Sequence, residues 1–257
     1  MKIGLCSDLH LEHGYNPVIN PPDDIDLMIF AGDIHSGTNA FDWIEAQQFP
    51  CESLYLGGNH EFYHYEYNAL LADMRARSSD KVIFLEDNVY EKGGYSFIGS
   101  TLWTDYEFHK ALPVEINMAN AESKLNDHRL IRFTDHMGAT LWKADHAREV
   151  YLKSAEFIKE QVAKAGRDKS VVITHHGPTT QAVPPRFRGD PINGCFVSDW
   201  DNWILDHGPR LMCFGHTHWD IDIHIGDTRV VSRQHGYRNE RVRNGQPPFE
   251  LLVVELP

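Results

Sequence analysis

Gly58-Asn59-His60-Glu61 follows the apolar run Ser53-Leu54-Tyr55-Leu56 and opens a long helical pattern, so it stands where a buried strand gives way to a helix. In open α/β folds such junctions gather ligands, because the sheet holds the loop rigidly and backbone groups point outward at the carboxyl ends of the strands. An Asn, a His and a Glu in a row make this junction densely polar. Around it, the first hundred residues alternate short apolar runs with helical patterns. Residues 2–7, 26–31, 53–57, 82–85 and 95–100 read as strands, most of them too continuously apolar to be half-exposed. Residues 38–48 and 62–77 read as helices, the second with Tyr63, Tyr67, Leu70, Leu71 and Met74 at helical spacing. This β-α-β order implies parallel strands.

From Leu102 to about Ala144 the pattern loosens into a stretch rich in Trp, Tyr, Asn, Asp and His, read as a lid-like excursion from the sheet. A helix follows over 147–165, with Val150, Tyr151, Phe157, Ile158 and Val162 on one stripe and Gly166 as its stop. The second half is strand-rich, at 170–174, 210–214, 221–225, 228–232 and 250–256, with Gly226-Asp227 turning a hairpin. Two sheets packed face to face with helices outside accommodate both halves, in one domain over residues 1–257.

Composition narrows the function classes. Hydrophobic residues make up 42% of the chain and charged residues 24%, which points to neither disorder nor a membrane class. No apolar run reaches the ~18 residues of a spanning helix, and the N-terminus turns polar too early for a signal peptide, so a cytoplasmic location is expected. Cys6, Cys51, Cys195 and Cys213 lie far apart and read as reduced thiols, Cys6 and Cys213 in the core. A net charge of -13 argues against nucleic acid as a partner, since duplex binding rests on phosphate neutralisation. The 16 histidines are the outlier, and imidazole is the commonest metal ligand.

Residues with ligand chemistry follow five of the strands: Asp8 and His10, Asp33, Asn59 and His60, His175 and His176, and His216 and His218. Each alone is weak. Asp-x-His occurs three times, at Asp8, Asp33 and Asp222. The weight lies in five strand ends agreeing, because parallel neighbours deliver those ends to one rim.

Asp8-Leu9-His10, Gly32-Asp33, Gly58-Asn59-His60-Glu61, Thr174-His175-His176 and Gly215-His216-Thr217-His218 resemble, in order and placement, the five motifs of the calcineurin-like metallophosphoesterases. The resemblance implies a four-layer αββα sandwich, two mixed β-sheets flanked by helices, with two divalent transition-metal ions at the strand ends. Carried over motif by motif, Asp8, His10 and His218 hold one metal, Asn59, His175 and His216 the second, and Asp33 bridges both. Such a donor set suits Mn, Fe, Zn, Ni or Co rather than Ca. His60 then hydrogen-bonds a phosphoryl oxygen or protonates the leaving alkoxide, and the implied reaction is in-line attack of a metal-bridging hydroxide on phosphorus.

At the fourth motif His175, which directly ends the strand, is preferred to His176 as ligand. Glu61 has two open readings: a carboxylate that orients a histidine, or a charge at a helix N-terminus. The remaining histidines read as structural or surface residues, with His235-Gly236-Tyr237 the stretch able to reach the rim. Arg129, Arg132, Arg186, Arg188, Arg238, Arg241 and Arg243 read as solvated surface, and Trp103, Tyr106 and Phe108 as packing rather than base-stacking groups. The expected partner is a small phosphorylated substrate, with a diester favoured over a monoester. The alternatives are a nucleotide pyrophosphohydrolase or nuclease of the same kind, or a non-catalytic metal-binding scaffold.

Overall fold

Alternation along the strands divides the apolar residues between two kinds of layer. In a computed structural model describing residues 1–257, the strands are β1 (Lys2–Cys6), β2 (Leu27–Ala31), β3 (Ser53–Leu56), β4 (Val82–Phe84), β5 (Asn88–Lys92), β6 (Tyr95–Ser100), β7 (Arg132–Asp135), β8 (Gly138–Leu141), β9 (Ser170–Thr174), β10 (Leu211–Phe214), β11 (Ile221–Ile225), β12 (Thr228–Ser232) and β13 (Leu252–Glu255). The helices are α1 (Asn39–Gln47), α2 (Tyr67–Arg77), α3 (Val114–Lys124), α4 (Asp127–Leu130), α5 (Ala144–Ala165), α6 (Asp201–His207) and α7 (Glu240–Arg243).

One sheet has the order β13-β1-β2-β3-β4 and the other β11-β12-β10-β9-β6-β5. Both are parallel through their centres, with antiparallel partners only at edges: β13 on β1, β11 on β12 and β5 on β6. Ile3, Leu5, Leu27, Ile29, Val171, Ile173, Leu211 and Cys213 form one core with residues of both sheets. Their neighbours Cys6, Met28, Phe30, Val172, Met212 and Phe214 belong instead to the layers under the helices. A period of two on a doubly covered strand produces this split, and it is why the strands look continuously apolar. Helix α5 lies over β6 and β9, α2 over β4, and α6 against β11. The expected two-sheet sandwich flanked by helices is therefore the observed architecture. No helix is long and apolar enough to cross a membrane.

Three expectations shift. The helix anticipated over 62–77 is broken: a short 3-10 turn, His60–Phe62, precedes α2, which begins at Tyr67. His64 lies between them at φ 73, and the Glu66 carboxylate accepts from Ala69 N–H to cap α2. Strand β5, absent from the sequence reading, is half-exposed and joins β6 through the left-handed pair Gly93-Gly94. The 102–144 excursion is anchored rather than open: Leu102, Trp103 and Tyr106 are buried, and Trp142 stacks on Tyr67 at 4.3 Å. The aromatic residues there do pack.

A buried carboxyl links the two sheets at the rim. Glu86, after β4, accepts from Thr101 N–H at 2.9 Å and lies 2.7 Å from Thr101 Oγ1, which also reaches Gly57 O at 2.8 Å. One hydroxyl proton cannot serve both oxygens, and a protonated Glu86 resolves this by donating to Thr101. Burial, then Asp87, pushes Glu86 from 4.5 up to about 7. The unfolded chain releases this proton near pH 4.5 and the folded chain holds it to about 7, so the group lowers stability progressively as pH rises through that window. Glu86→Gln cannot ionise. Its unfolding free energy relative to wild type should improve by on the order of 3 kcal/mol between pH 4.5 and 8. Urea titrations of both proteins at the two pH values measure this, and a pH-independent difference would contradict it.

Candidate active site

Five strands of the two sheets end at one rim. Asp8 and His10 leave β1, Asp33 leaves β2, Asn59 and His60 leave β3, His175 leaves β9, and His216 and His218 leave β10. A parallel bridge between Ser7 and Gln234 ties the exit of β1 to that of β12, so the rims of the two sheets meet. The turns are tight: Asp8, His10, Asp33, His216 and His218 have φ between 49° and 69°, the left-handed region. Asp and His enter that region more readily than most residues, and such conformations cluster where the fold holds side chains against their preference. Close approach also explains Gly58, where a Cβ would lie 2.2 Å from Asp33 Oδ1 and 2.6 Å from the His175 ring.

The seven residues expected as ligands converge. Ligand atoms of Asp8, His10 and His218 lie within 4.8 Å of one another, as do those of Asp33, His175 and His216. Asp33 sits between the groups, with Oδ1 3.4 Å from His175 Nε2 and Oδ2 3.8 Å from His10 Nε2. Asn59 Oδ1 is 3.2 Å from His175 Nε2. All seven are buried except His218, which is mostly so.

Outward-facing atoms are held by hydrogen bonds. His10 Nδ1 meets Glu12 at 3.1 Å, His218 Nδ1 meets Glu240 at 2.6 Å, and His175 Nδ1 meets Ala31 O at 2.9 Å. The Asn59 amide N–H donates to Asp127 at 2.8 Å, turning its oxygen inward. Asp8 accepts from His216 N–H and from the Ser7 hydroxyl. Nε2 atoms, carboxylates and an amide oxygen thus point to the centre with their far sides fixed, as around metal ligands.

Two imidazole features lie among these residues. His10 Nε2 and His218 Nε2 face each other at 3.0 Å, and His216 Nε2 is buried without any hydrogen-bond partner. Imidazole nitrogens, carboxylates and an amide oxygen converging on one point are the donor chemistry that divalent transition metals take. The residues fit divalent metal.

The charges reinforce each other. Burial favours the neutral form of His175, but Asp33 outweighs it and holds the imidazole up to about 9. His218 is likewise held up to about 10 against burial by hydrogen bonds to Asp8 and Glu240. Asp33 is held well below the usual range despite burial, by His175 and His60. Glu12 is held down to about 2, its burial outweighed by His10 and His60. His216 lacks such a partner, and burial with the neighbouring His176 and His175 drives it well down.

His60 faces the cleft. Its N–H donates to Asp33 Oδ1 at 2.8 Å, Nδ1 lies 2.9 Å from Glu12 Oε1, and Nε2 lies 3.1 Å from the Tyr237 hydroxyl. His235-Gly236-Tyr237 does reach the rim, through Tyr237 rather than the histidine: the Tyr237 ring lies 4.5 Å from that of His10.

Several readings need correction. Glu61 neither orients a histidine nor serves as a helix-end charge. Fully buried, it accepts from the N–H groups of Asp33, Ile34 and Gly58 and from Tyr55 Oη, and so ties the second motif to the third. The 3-10 turn folds its carboxylate back under the loop. Burial and Asp33 push it up to about 7. Arg241 is not solvated: it is 7% exposed and bonds Asp220 and Pro247 O. Arg186 is exposed, as expected, and pairs with Glu240 at 3.0 Å beside the cleft. His176 lies beyond His216, its rings 4.1 Å apart, with Nε2 unpartnered. Glu12, Asp127 and Glu240 were missed. Glu12 alone had a signal, the continuation of Asp8-x-His10 to a third acidic or imidazole position at the same spacing.

The calcineurin-like phosphoesterase family model matches residues 1–220. The chain is 26% identical to an uncharacterized protein, L509, of Acanthamoeba polyphaga mimivirus, over 97% of this chain and 95% of that one. The crystal structure of phosphopantetheinyl hydrolase (PptH) from Mycobacterium tuberculosis superposes with TM-score 0.72 at 16% identity, covering 98% of this chain and 95% of the other. The match to the family model spans all five strand-end motifs, and the chain belongs to the calcineurin-like phosphoesterase family.

Proposed function

We propose that this chain hydrolyses phosphate esters of small molecules with two divalent metal ions, one held by Asp8, His10 and His218, the other by Asn59, His175 and His216, with Asp33 between them. The observation that carries the reading is the convergence of these seven residues with His60 at the mouth. Bound there, the cations supply positive charge against phosphoryl oxygens and acidify water. The protein's own residues do the rest. Glu12 accepts from His60 Nδ1–H, which leaves Nε2 to hold a proton toward the cleft. As a water oxygen bonds to phosphorus and gives up a proton to solvent, the bond from phosphorus to the leaving oxygen breaks, and His60 Nε2 delivers its proton to that oxygen, to be reprotonated from solvent. Burial lowers the affinity of His60 for that proton, but Asp33 and Glu12 together raise it above the ordinary value. Nearby, the Tyr237 hydroxyl donates to an oxygen of the same phosphoryl group once displaced from His60.

A diester is favoured because two clefts meet at His60, Tyr63 and Tyr237. One runs toward residues 183–197 and the other toward His13, Tyr15 and Ser36, leaving room for an organic arm on each side of phosphorus. Reconstitution with Mn and assay against bis(p-nitrophenyl) phosphate and p-nitrophenyl phosphate tests the reading. The diester should turn over faster. No metal bound and no turnover with any of several divalent metals would overturn it and leave a non-catalytic scaffold.

A further inference from the structure

The first cleft, of about 340 Å³, begins at Asp33, Asn59, His60, His216 and His218 and then changes character. Beyond them it is walled by Leu125 at the end of α3 and by Val183, Phe187, Ile192 and Phe196 from the loop after β9. Phe187 is 40% exposed, and Leu125, Ile192 and Phe196 are only partly covered. Phe196 stacks on His216, ring centroids 4.9 Å apart, so the apolar wall starts at the centre itself. Most of the polar groups along it are engaged within the protein. The Arg186 guanidinium lies over Phe187 at 4.4 Å and pairs with Glu240, and Asp127 holds Asn59 and Tyr63. Asp190 accepts from Ile192 N–H, and the Asn193 amide donates to Phe187 O, both bonds holding the loop rather than facing a ligand. Lys124, exposed, is the remaining lysine or arginine of the lining.

Partly exposed apolar side chains beside a polar centre, in a volume at the lower end of ligand cavities (~300–1,000 Å³), describe a ligand-binding wall. We infer that the wall formed by Leu125, Val183, Phe187, Ile192 and Phe196 selects phosphate esters that carry one uncharged, apolar arm. The inference rests on the reading of the centre as a phosphoesterase. A second phosphate or a carboxylate on that arm would find Arg186 already paired with Glu240, and only exposed Lys124 as a lining cation without an acidic partner.

Calorimetry on the Mn-loaded protein with methylphosphonic, octylphosphonic and 7-carboxyheptylphosphonic acids tests this without turnover. At roughly fourfold per fully buried methylene, burying even a few of the added carbons makes the octyl compound at least about tenfold tighter than the methyl. The terminal carboxylate should cancel most of that gain. Phe187→Ser and Ile192→Ser should each shrink the octyl-to-methyl ratio, and together bring it near one. Equal affinity for methyl and octyl compounds in the wild type, or preference for the carboxylate, overturns the apolar arm while leaving the phosphoesterase reading intact. Failure of all three phosphonates to bind, together with no hydrolysis of bis(p-nitrophenyl) phosphate, overturns the underlying reading and the arm with it.

Discussion

Asp33→Asn is expected to abolish activity and metal binding together. The Asp33 carboxylate is the one negative charge that both clusters share, with one oxygen toward His175 and the other toward His10. Asn keeps the shape and can still accept from His60 N–H at the position of Oδ1. What disappears is the charge, so the variant should fold and the loss should fall on cation binding. Transition-state charge stabilisation of several kcal/mol is then forfeited, on the order of a thousandfold or more in rate. A readout independent of turnover is thermal stability. A ligand that binds only the folded state at a hundred times its Kd stabilises by about 2.7 kcal/mol. For a chain of this length that is a rise of roughly 5–10 °C in Tm for the wild type. Asp33→Asn should show little or none of that rise with Mn, and its metal content by elemental analysis should fall. A variant with the full rise and full metal content would remove Asp33 from between the metals.

Much of this centre was legible because its residues are announced by their neighbours. Asp8, Asp33, Asn59, His175 and His216 each follow an apolar run within a few residues, and two-sided burial makes such runs conspicuous. Chain order then brought the five ends to one rim without any knowledge of distances. The supporting residues left no comparable trace. Glu12 reaches His60 across 48 residues, Asp127 reaches Asn59 across 68, and Glu240 reaches His218 across 22. Each sits in a polar stretch where an acidic residue is unremarkable, and only the folded chain selects it.

Glu61 was visible but misread for a related reason. At a strand-to-helix junction a carboxylate looks like a helix-end charge, yet the 3-10 turn at His60–Phe62 points it inward to Asp33 N–H, Ile34 N–H and Gly58 N–H. Nor could the left-handed turns at Asp8, His10, Asp33, His216 and His218 be read ahead, since glycine is the residue that ordinarily marks such backbone. The apolar wall was hidden differently: Phe187, Ile192 and Phe196 are spaced irregularly in a loop, without the periodicity that assigns an apolar residue to a face.

His60→Ala should fail in the opposite way to Asp33→Asn. Its imidazole is 12% exposed and turned to the cleft; it clusters with His10, Glu12 and His13 but belongs to neither the Asp8–His10–His218 nor the Asp33–His175–His216 group proposed to hold the metals. Metal content and the Mn-dependent rise in Tm should therefore stay close to wild type. The rate should fall by roughly 10²–10⁴, the usual worth of a positioned proton donor. The dependence on leaving group separates this role from simple binding. A p-nitrophenolate departs readily without a proton, whereas an alkoxide needs one as the bond to phosphorus breaks. Comparing bis(p-nitrophenyl) phosphate with methyl p-nitrophenyl phosphate reports only nitrophenolate departure, so the test pairs the nitrophenyl diester with a dialkyl diester. The variant should lose much more rate on the dialkyl substrate. An equal loss on both would make His60 a phosphoryl-oxygen ligand rather than the proton donor. Near-normal turnover of both with both metals in place would remove it from the chemistry. Asn59→Ala provides the contrast one residue away: its amide oxygen faces His175, so that variant should lose metal along with rate. Opposite metal contents in two adjacent variants are what the turn from β3 predicts, with one side chain directed inward and the next toward the cleft.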